Sequence, residues 1–378
     1  MSDRLVITAA EAYGPLGPML SIAWPRLLAG ESAAERIDHP GLAAWSGRWP
    51  VARWKEDALS VAGYRPHGVT AATVLSKSRL DPAAAGLCVG ASKGLLEAPA
   101  ATAASPDFAL NDLRTLRRFG GPAACPVAAC ATGLLAVVQA ARWVRWGLCE
   151  SAVAGAADYS LNPLVLASYR RAGVLSKWSG DPAAAGRPFD AARCGFVLGE
   201  GCGLLAVEAE AAAVRRDVRT LAVLSGFAVH SDPADLVAPD PSGRPVAETV
   251  RRAVAVAGLT PREVDAVCCH GTGTRLNDAA EARGLRDAFG PDLDRVSCFS
   301  LKGAIGHTLG ASGAVELAFC VRAVEEQTVP PHLNCEDLAA DCPIPKPSPT
   351  PVRREVRHLL KLSFGFGGPV AAVVLSRP

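Results

Sequence analysis

The amino-acid sequence predicts an α/β fold in which sheets are covered by helices. Short apolar segments of strand length, such as 151–157 and 266–269, are followed by turns and then by stretches with helical spacing. This alternation runs through both parts of the 378-residue chain, which we divide into halves at 1–210 and 211–378. Alternating strands and helices favour layered α/β packing. The halves resemble each other in the order of their elements, although not detectably in sequence.

Composition excludes several classes of protein. With 49% hydrophobic and 20% charged residues, the chain is expected to be globular, and it is long enough for two domains. No apolar run reaches the roughly 18 residues of a membrane span, and the N-terminus lacks a secretory signal pattern, so we expect a cytoplasmic protein. A net charge of +2 and 6% aromatic residues indicate no nucleic-acid surface. The twelve cysteines lack disulfide-framework spacing and are expected to be reduced.

The first half contains one segment that resists assignment. Strands are predicted at 4–8, 85–90, 151–157 and 204–207, and helices at 19–29, 131–146, 162–172 and 208–217. Residues 30–85 carry Trp45, Trp49 and Trp54 among prolines and glycines, which indicates an irregular segment. Residues 98–105 and 176–192 are predicted loops because proline and polar residues interrupt them.

The second half repeats the pattern with clearer boundaries. Strands are predicted at 221–229, 266–269, 296–300, 359–363 and 370–375, and helices at 246–258, 278–289 and 311–325. The first of these helices ends at Gly258, and Pro261 follows shortly after, which is a typical stop signal. Residues 301–310 are a predicted loop.

The segment 127–133 places Cys130 at the start of the central helix of the first half. Backbone N–H groups and the helix dipole at that position favour a thiolate, which is the nucleophilic form. A buried structural cysteine is the alternative, because free cysteines are commonly buried. This segment alone leaves both interpretations open.

Three further motifs decide between them. His270-Gly-Thr-Gly-Thr274, Lys302-Gly-Ala-Ile-Gly-His307 and Ser363-Phe-Gly-Phe-Gly-Gly368 each follow the end of an apolar strand. Open α/β sheets collect ligand-binding groups there. Two histidines beside glycines, together with a helix-start cysteine, favour catalysis over a structural role. No second ligand pair accompanies Cys268-Cys269-His270, so no metal site is predicted.

These motifs make the sequence resemble the β-ketoacyl-acyl-carrier-protein synthases of the thiolase superfamily, on the elongating side that uses a Cys-His-His set. The resemblance covers nearly the whole chain. The quoted motifs are Ala129-Cys-Ala-Thr-Gly133, Arg187-Pro-Phe-Asp-Ala-Ala-Arg193, Gly195-Phe-Val-Leu-Gly-Glu-Gly201, the segment 270–278, the segment 302–316 and the segment 363–368. The resemblance implies a thiolase-like five-layered αβαβα fold built from two similar halves. It also implies an acyl-carrier-protein partner and usually a homodimer, with a heterodimer as the alternative.

The implied reaction is a decarboxylative Claisen condensation of an acyl thioester with malonyl-acyl-carrier protein, in fatty-acid or polyketide biosynthesis. A thiolate suits the acyl-holding step, and two neutral imidazoles can stabilise the enolate. By resemblance, Cys130 is the nucleophile, His270 and His307 stabilise the enolate, and backbone N–H groups of Cys130 and Phe366 form the oxyanion hole. The resemblance also implies that Lys302 and Glu316 support His307 without reacting. Thr272 and Thr274 would hold the phosphopantetheine arm, and Phe366 would gate the acyl pocket. No cofactor is implied beyond the carrier's phosphopantetheine.

The sequence departs from the family pattern at several places outside the Cys-His-His set. Residues 55–85 are shorter than in relatives and are expected to lack the family's helix. Positions of a monovalent-cation site in some relatives read Cys268, Lys361 and Leu362, so no ion is predicted there. The remaining departures are the first loop at 9–14, Cys194 in place of an acidic residue, and Pro369-Val370.

Two other functions remain open at this point. A non-catalytic partner subunit, like the chain-length factors of paired ketosynthases, would lack the nucleophile, and Cys130 argues against it. A non-condensing acyltransferase or hydrolase on the same fold would need the cysteine but not both histidines.

Overall fold

The computed structural model describes residues 4–36, 49–53, 65–94 and 105–378. Trp45, Trp54 and residues 98–104 of the predicted loop lie outside these ranges. The strands are β1 (Leu5–Tyr13), β2 (Glu35–Arg36), β3 (Pro50–Ala52), β4 (Gly86–Gly90), β5 (Ala123–Ala124), β6 (Ser151–Asp158), β7 (Leu198–Gly199), β8 (Gly201–Ala209), β9 (Ala222–Ser231), β10 (Ala266–Cys268), β11 (Ser297–Phe299), β12 (Thr328–Val329), β13 (Val352–Arg353), β14 (His358–Phe364) and β15 (Pro369–Ser376).

The helices alternate with these strands along the chain. They are α1 (Leu20–Leu28), α2 (Pro66–Ser78), α3 (Phe108–Arg117), α4 (Thr132–Arg145), α5 (Pro163–Arg171), α6 (Glu210–Arg215), α7 (Arg244–Val256), α8 (Arg275–Phe289), α9 (Lys302–Ile305) and α10 (Ser312–Glu326). Within the described ranges, none of them is long and apolar enough to cross a membrane.

The main sheet consists of two half-sheets with the same internal order. The N-terminal half-sheet runs β5-β4-β6-β8-β1, and the C-terminal half-sheet runs β11-β10-β14-β15-β9. In both, the first two pairings are parallel and the next two are antiparallel. A short pairing of β1 with β9, at Val6–Val223 and Ile7–Ala222, joins the two half-sheets. The repeated order therefore reveals a similarity that the sequence does not show.

Helices separate and cover the half-sheets. Helices α4 and α10 pack on each other and contact strands of both half-sheets. Helices α2 and α3 cover the N-terminal half-sheet, and α7 covers the C-terminal one, with α8 packed on α7. The central helices approach closely because each has a glycine in its first turn. A Cβ on Gly133 would lie 2.8 Å from the Ala314 nitrogen, and one on Gly313 would lie 2.7 Å from the Leu134 nitrogen. This arrangement confirms the predicted five layers.

Most predicted elements are present within a few residues of their expected bounds, with three corrections. The expectation that 55–85 lacks a helix is wrong, because α2 occupies 66–78 and packs on β1 and β8. Its Pro66 stands in the first helical turn, where backbone N–H groups have no acceptor within the helix, so the missing N–H of proline costs no hydrogen bond. The predicted helix at 208–217 begins later, because β8 continues to Ala209. The predicted loop 301–310 contains the short helix α9.

Candidate active site

A single cavity of about 610 Å³ collects most of the residues predicted to be functional. Those that line it are Cys130, His270, Thr272, Thr274, His307 and Phe366. They come from four turns: the start of α4, the segment after β10, the segment before α10, and the connection from β14 to β15. Lys302 and Glu316 lie behind the cavity wall and are buried. The structure thus brings together segments that are far apart in sequence.

The turn 129–131 presents Cys130 to the cavity. It is one turn of 3₁₀ helix that leads directly into α4, and Ala129 has a φ of +46°, a conformation that non-glycine residues rarely adopt. The Thr132 hydroxyl donates to the Ala129 carbonyl and accepts from the Ala128 N–H, which stabilises this turn. In the described part of the chain, the Cys130 N–H has no acceptor. It is therefore available to an oxygen atom bound beside the thiol.

Burial keeps the Cys130 side chain a thiol. It raises the pKa of this thiol from 9.0 to about 12, and the positive charge of Lys302 opposes the rise. A helix N-terminus stabilises an anion by at most about 2 kcal/mol, which lowers a pKa by roughly 1.5. This is less than the rise caused by burial. The expectation that the helix start favours the thiolate is therefore wrong for the protein at rest, and the nucleophile needs a proton acceptor.

The two histidines form a buried pair in the same cavity. Their ring centroids are 5.4 Å apart and their planes are nearly perpendicular, at 82°. The Nδ1 atom of His307 lies 2.8 Å from the Ser312 hydroxyl, and its ring packs against Phe196. The His270 ring packs against Phe364, and its Nδ1 has no hydrogen-bond partner among the described residues. Ser312 was not predicted, although it follows the Lys302–His307 motif by five residues.

Both imidazoles are neutral at physiological pH. Burial lowers the pKa of His270 and that of His307 well below the usual 6.5, and the charge of Lys302 lowers both further. A neutral imidazole has one N–H donor and one acceptor nitrogen. The pair can therefore donate hydrogen bonds to a developing oxyanion without carrying charge of its own.

Behind the histidines lies a buried charge cluster of Lys302, Glu316 and Lys361. The Lys302 ammonium donates to the backbone oxygen of His270 and to Glu316 Oε1, both at 2.6 Å. The Lys361 ammonium lies 2.5 Å from Glu316 Oε2. Lys302 thus contacts the backbone of His270 directly, and its expected support of His307 stays a prediction. Lys361 was considered only as a departure from a cation site.

Two acidic residues of α8 hold the turn that carries His270. The Glu281 carboxylate accepts the N–H groups of His270 and Gly271, at 2.6 and 2.7 Å. The Asp278 carboxylate accepts the N–H groups of Thr272 and Gly273, at 3.0 and 3.2 Å. Sequence reasoning assigned neither residue a role. Their signal is the pair of acidic residues in the first turns of a helix that follows a glycine-rich segment.

The turn between β14 and β15 leaves one amide without an acceptor. The N–H groups of Gly365, Gly367 and Gly368 donate to the backbone oxygens of Pro369, Leu236 and Gly365, respectively. Within the described ranges, the Phe366 N–H has no such acceptor. Phe366 is 37% exposed, and its ring centroid lies 6.5 Å from that of Tyr169 at the cavity. Phe366 thus offers both a free amide and an aromatic wall.

Two family models match consecutive parts of the chain. Residues 49–213 match the N-terminal domain of beta-ketoacyl synthase, and residues 221–336 match its C-terminal domain. The first match includes Cys130, and the second includes His270 and His307. Together they cover most of the chain.

Individual relatives agree with these matches. The chain is 37% identical over 253 residues to 3-oxoacyl-acyl-carrier-protein synthase 2 of Mycobacterium bovis, a match that covers 67% of this chain but only 60% of that protein. It is 30% identical to the protein of the same name from Vibrio harveyi, with 99% and 98% covered. A beta-ketoacyl synthase structure from Burkholderia phymatum superposes over all of both chains with a TM-score of 0.91 at 23% identity, which shows the same fold.

Proposed function

The chain belongs to the β-ketoacyl synthase family, and on that premise we propose that it condenses an acyl thioester with malonyl-acyl-carrier protein in fatty-acid or polyketide biosynthesis. One observation carries this proposal. A single cavity is lined by a thiol, two neutral imidazoles and two backbone N–H groups without acceptors among the described residues. Acyl transfer requires a nucleophile and an oxyanion hole, and decarboxylation requires donors for an enolate oxygen.

In the first step, the Cys130 sulfur attacks the carbonyl carbon of the incoming acyl thioester. Because burial raises the pKa of this thiol to about 12, its proton passes to a neutral imidazole of the same cavity as the C–S bond forms. The N–H groups of Cys130 and Phe366 stabilise the negative oxygen of the tetrahedral intermediate. The carrier's C–S bond then breaks, and the leaving thiolate takes up the proton. The neutral histidine pair is thereby restored.

In the second step, the malonyl thioester loses CO2. The electron pair of the broken C–C bond becomes an enolate, whose oxygen accepts hydrogen bonds from His270 and His307. The enolate carbon attacks the acyl carbon on Cys130, and the C–S bond to Cys130 breaks. The released thiolate takes up one proton from solvent, and the β-ketoacyl product stays on the carrier protein.

The remaining assignments follow from the same proposal. The hydroxyls of Thr272 and Thr274 lie 2.9 Å apart at the cavity wall and are assigned to the phosphopantetheine arm. The Phe366 ring is assigned to gating of the acyl pocket. Residues 1–210 form the half that carries the nucleophile, and 211–378 form the half that carries both histidines. The partners are an acyl-carrier protein and a second copy of this chain, with a heterodimer as the alternative, in the cytoplasm and without a further cofactor.

The test is a condensation assay with malonyl-acyl-carrier protein and acyl donors of several chain lengths. Intact-protein mass spectrometry would measure the acyl adduct on Cys130, and labelled CO2 would measure decarboxylation. We expect an adduct, CO2 release and a β-ketoacyl product. An adduct without CO2 release would instead indicate an acyltransferase or hydrolase, and neither adduct nor CO2 would indicate a non-catalytic subunit.

A further inference from the structure

Lys361 places a charged ammonium group in the interior of the protein. The residue lies in the middle of β14, and its side chain is 0% exposed. The ammonium contacts three oxygens: the Leu362 carbonyl at 2.5 Å, the Cys269 carbonyl at 3.4 Å and Glu316 Oε2 at 2.5 Å. These oxygens belong to β14, the segment after β10, and α10. One ammonium therefore connects three elements that meet behind the candidate active site.

The three oxygens form a ligand set that suits a hard metal cation. Carbonyl and carboxylate oxygens are the donors that such ions prefer. The Lys361 ammonium donates hydrogen bonds to the two carbonyl oxygens and forms an ion pair with Glu316 Oε2. A monovalent ion of the kind that some relatives bind does not fit here, because the Lys361 nitrogen occupies the centre of the set.

We propose that Lys361 is a tethered cation that takes the place of a bound monovalent metal ion and positions His270. The role in positioning rests on the function proposed above, whereas the replacement of an ion rests on the ligand set alone. Lys361 does not line the cavity, so it acts through its contacts and not on the substrate.

Contacts on two consecutive backbone oxygens explain how this positioning works. The Lys361 ammonium holds the Cys269 oxygen, and the Lys302 ammonium holds the His270 oxygen. The Glu316 carboxylate bridges the two ammonium groups, one on each of its oxygens. The backbone at the base of His270 is thus clamped from two sides. A buried carboxylate is stable only with such partners, since an unpaired buried charge is strongly unfavourable.

The proposal distinguishes this chain from an enzyme that binds a metal ion at the same place. The wild-type protein should not respond to the identity of the monovalent cation in the buffer. Removal of the ammonium should leave a space between the three oxygens, and K⁺ can bind in that space. In Lys361→Ala the positive charge of Lys302 still neutralises the negative charge of Glu316, so the buried carboxylate is not left unpaired. In Lys361→Met the side chain fills the space without charge, which makes it the matched control.

The experiment compares wild type, Lys361→Ala, Lys361→Met and Lys346→Ala in KCl and in choline chloride at equal ionic strength. Lys346 is an exposed lysine, so its variant measures any general effect of salt. The readouts are kcat and KM for labelled CO2 release from malonyl-acyl-carrier protein, and the thermal unfolding temperature without substrate. In choline chloride, we expect kcat of Lys361→Ala to fall about 10- to 100-fold, which is typical when a supporting residue is lost, with little change in KM.

Rescue by K⁺ separates positioning from a general structural role. In KCl, Lys361→Ala should regain kcat and unfold at a higher temperature, whereas Lys361→Met should show neither effect. Wild type and Lys346→Ala should behave alike in both salts. The proposal is overturned if wild type itself needs K⁺, if Lys361→Ala keeps full kcat in choline chloride, or if both Lys361 variants respond equally to K⁺. Absence of CO2 release from wild type would refute only the proposed function, because the unfolding temperatures still test cation replacement.

Discussion

The two halves of the molecule each place a tight turn before their central helix, Ala129–Ala131 before α4 and Leu309–Ala311 before α10. The first residue of each turn, Ala129 or Leu309, has a φ of +46°. The second residue differs, since the N-terminal turn has Cys130 and the C-terminal turn has Gly310. The same backbone conformation thus holds a nucleophile in one half and no side chain in the other.

The surroundings of Gly310 explain why the second turn has no nucleophile. Its N–H donates to Asp158 Oδ2 at 3.0 Å, whereas the N–H of Cys130 has no acceptor in the described part of the chain. A Cβ on Gly310 would lie only 2.5 Å from the Ser92 nitrogen and 2.9 Å from Asp158 Oδ2. Any side chain there would displace the backbone of the other half. The C-terminal turn is therefore a packing contact between the halves, and the N-terminal turn is open to the cavity.

The helix-start hydroxyls differ in the same way. Among the described residues, the Thr132 hydroxyl bonds within its own turn, to Ala128 and Ala129. The Ser312 hydroxyl lies 2.8 Å from His307 Nδ1 and 3.2 Å from the Thr308 hydroxyl. One structural repeat therefore stabilises the turn of a nucleophile, and the other orients a histidine. This comparison teaches that the nucleophile and the oriented histidine come from different halves, so a substitution can disturb one without removing the other.

The largest expected effect comes from Cys130→Gln. Without a thiol no acyl-enzyme can form, so condensation should be abolished. Decarboxylation of malonyl-acyl-carrier protein should persist or rise, because the amide can occupy the oxyanion hole as an acylated cysteine would. Labelled CO2 and intact mass measure the two activities side by side. Loss of both activities together would contradict the separate roles of Cys130 as nucleophile and of the histidines as enolate donors.

The second effect comes from His270→Ala and His307→Ala. Each removes one of two donors to the enolate oxygen, and loss of such a donor typically lowers the rate about 10²- to 10³-fold. Decarboxylation should fall by that factor. Acylation of Cys130 should fall less, because its oxyanion hole is built from backbone N–H groups and the remaining imidazole can still accept the thiol proton. The same two assays give the ratio of losses. An acylation rate reduced as much as decarboxylation would assign the histidines to both steps equally.

A third and smaller effect should separate the two helix-start hydroxyls. Ser312→Ala removes the partner of His307 Nδ1, and we expect decarboxylation to fall about 10- to 100-fold, as is typical for a supporting hydrogen bond. Thr132→Ala is the matched control, because the hydrogen bonds of its hydroxyl to described residues stay within the turn of Cys130. It should slow acylation and leave decarboxylation in a Cys130→Gln background unchanged. Equal effects of both variants on decarboxylation would show that the turns are coupled.

The cavity-lining residues could be predicted because their signals are local. Cys130, His270, His307 and Phe366 each stand in or beside a short glycine-containing motif at the end of a strand, and strand ends converge in such sheets. Helix α2 was missed because two of its first three residues, Pro66 and Gly68, are of types that usually interrupt helices. Tertiary packing on β1 and β8 outweighs that local preference.

The partners of these residues depend on packing that the sequence does not reveal. Ser312 contacts His307 because a 3₁₀ turn brings the start of α10 back toward the histidine. Lys361 reaches Glu316 because β14 and α10 pack together, although 45 positions separate the two residues. The rise in the pKa of Cys130 likewise reflects burial in the folded protein. Such contacts become visible only when distant segments are placed in space.

The smallest expected effect is the absence of a pH response in the C-terminal half. The pKa values of His270 and His307 lie well below 6.5, so both imidazoles stay neutral as the pH falls from 8.5 to about 6. Decarboxylation by Cys130→Gln, which has no Cys130 thiol to titrate, should therefore stay level across that range.

In wild type, alkylation of Cys130 by iodoacetamide should instead rise about tenfold per pH unit from 7 to 9, because only the thiolate reacts and the pKa of about 12 lies above this range. The decarboxylation profile, measured by CO2 release, should be flat, and the alkylation profile, measured by mass spectrometry, should rise with pH. A decarboxylation rate that falls as the pH drops through 6.5 would mean that a histidine is protonated there, and that burial does not keep the pair neutral.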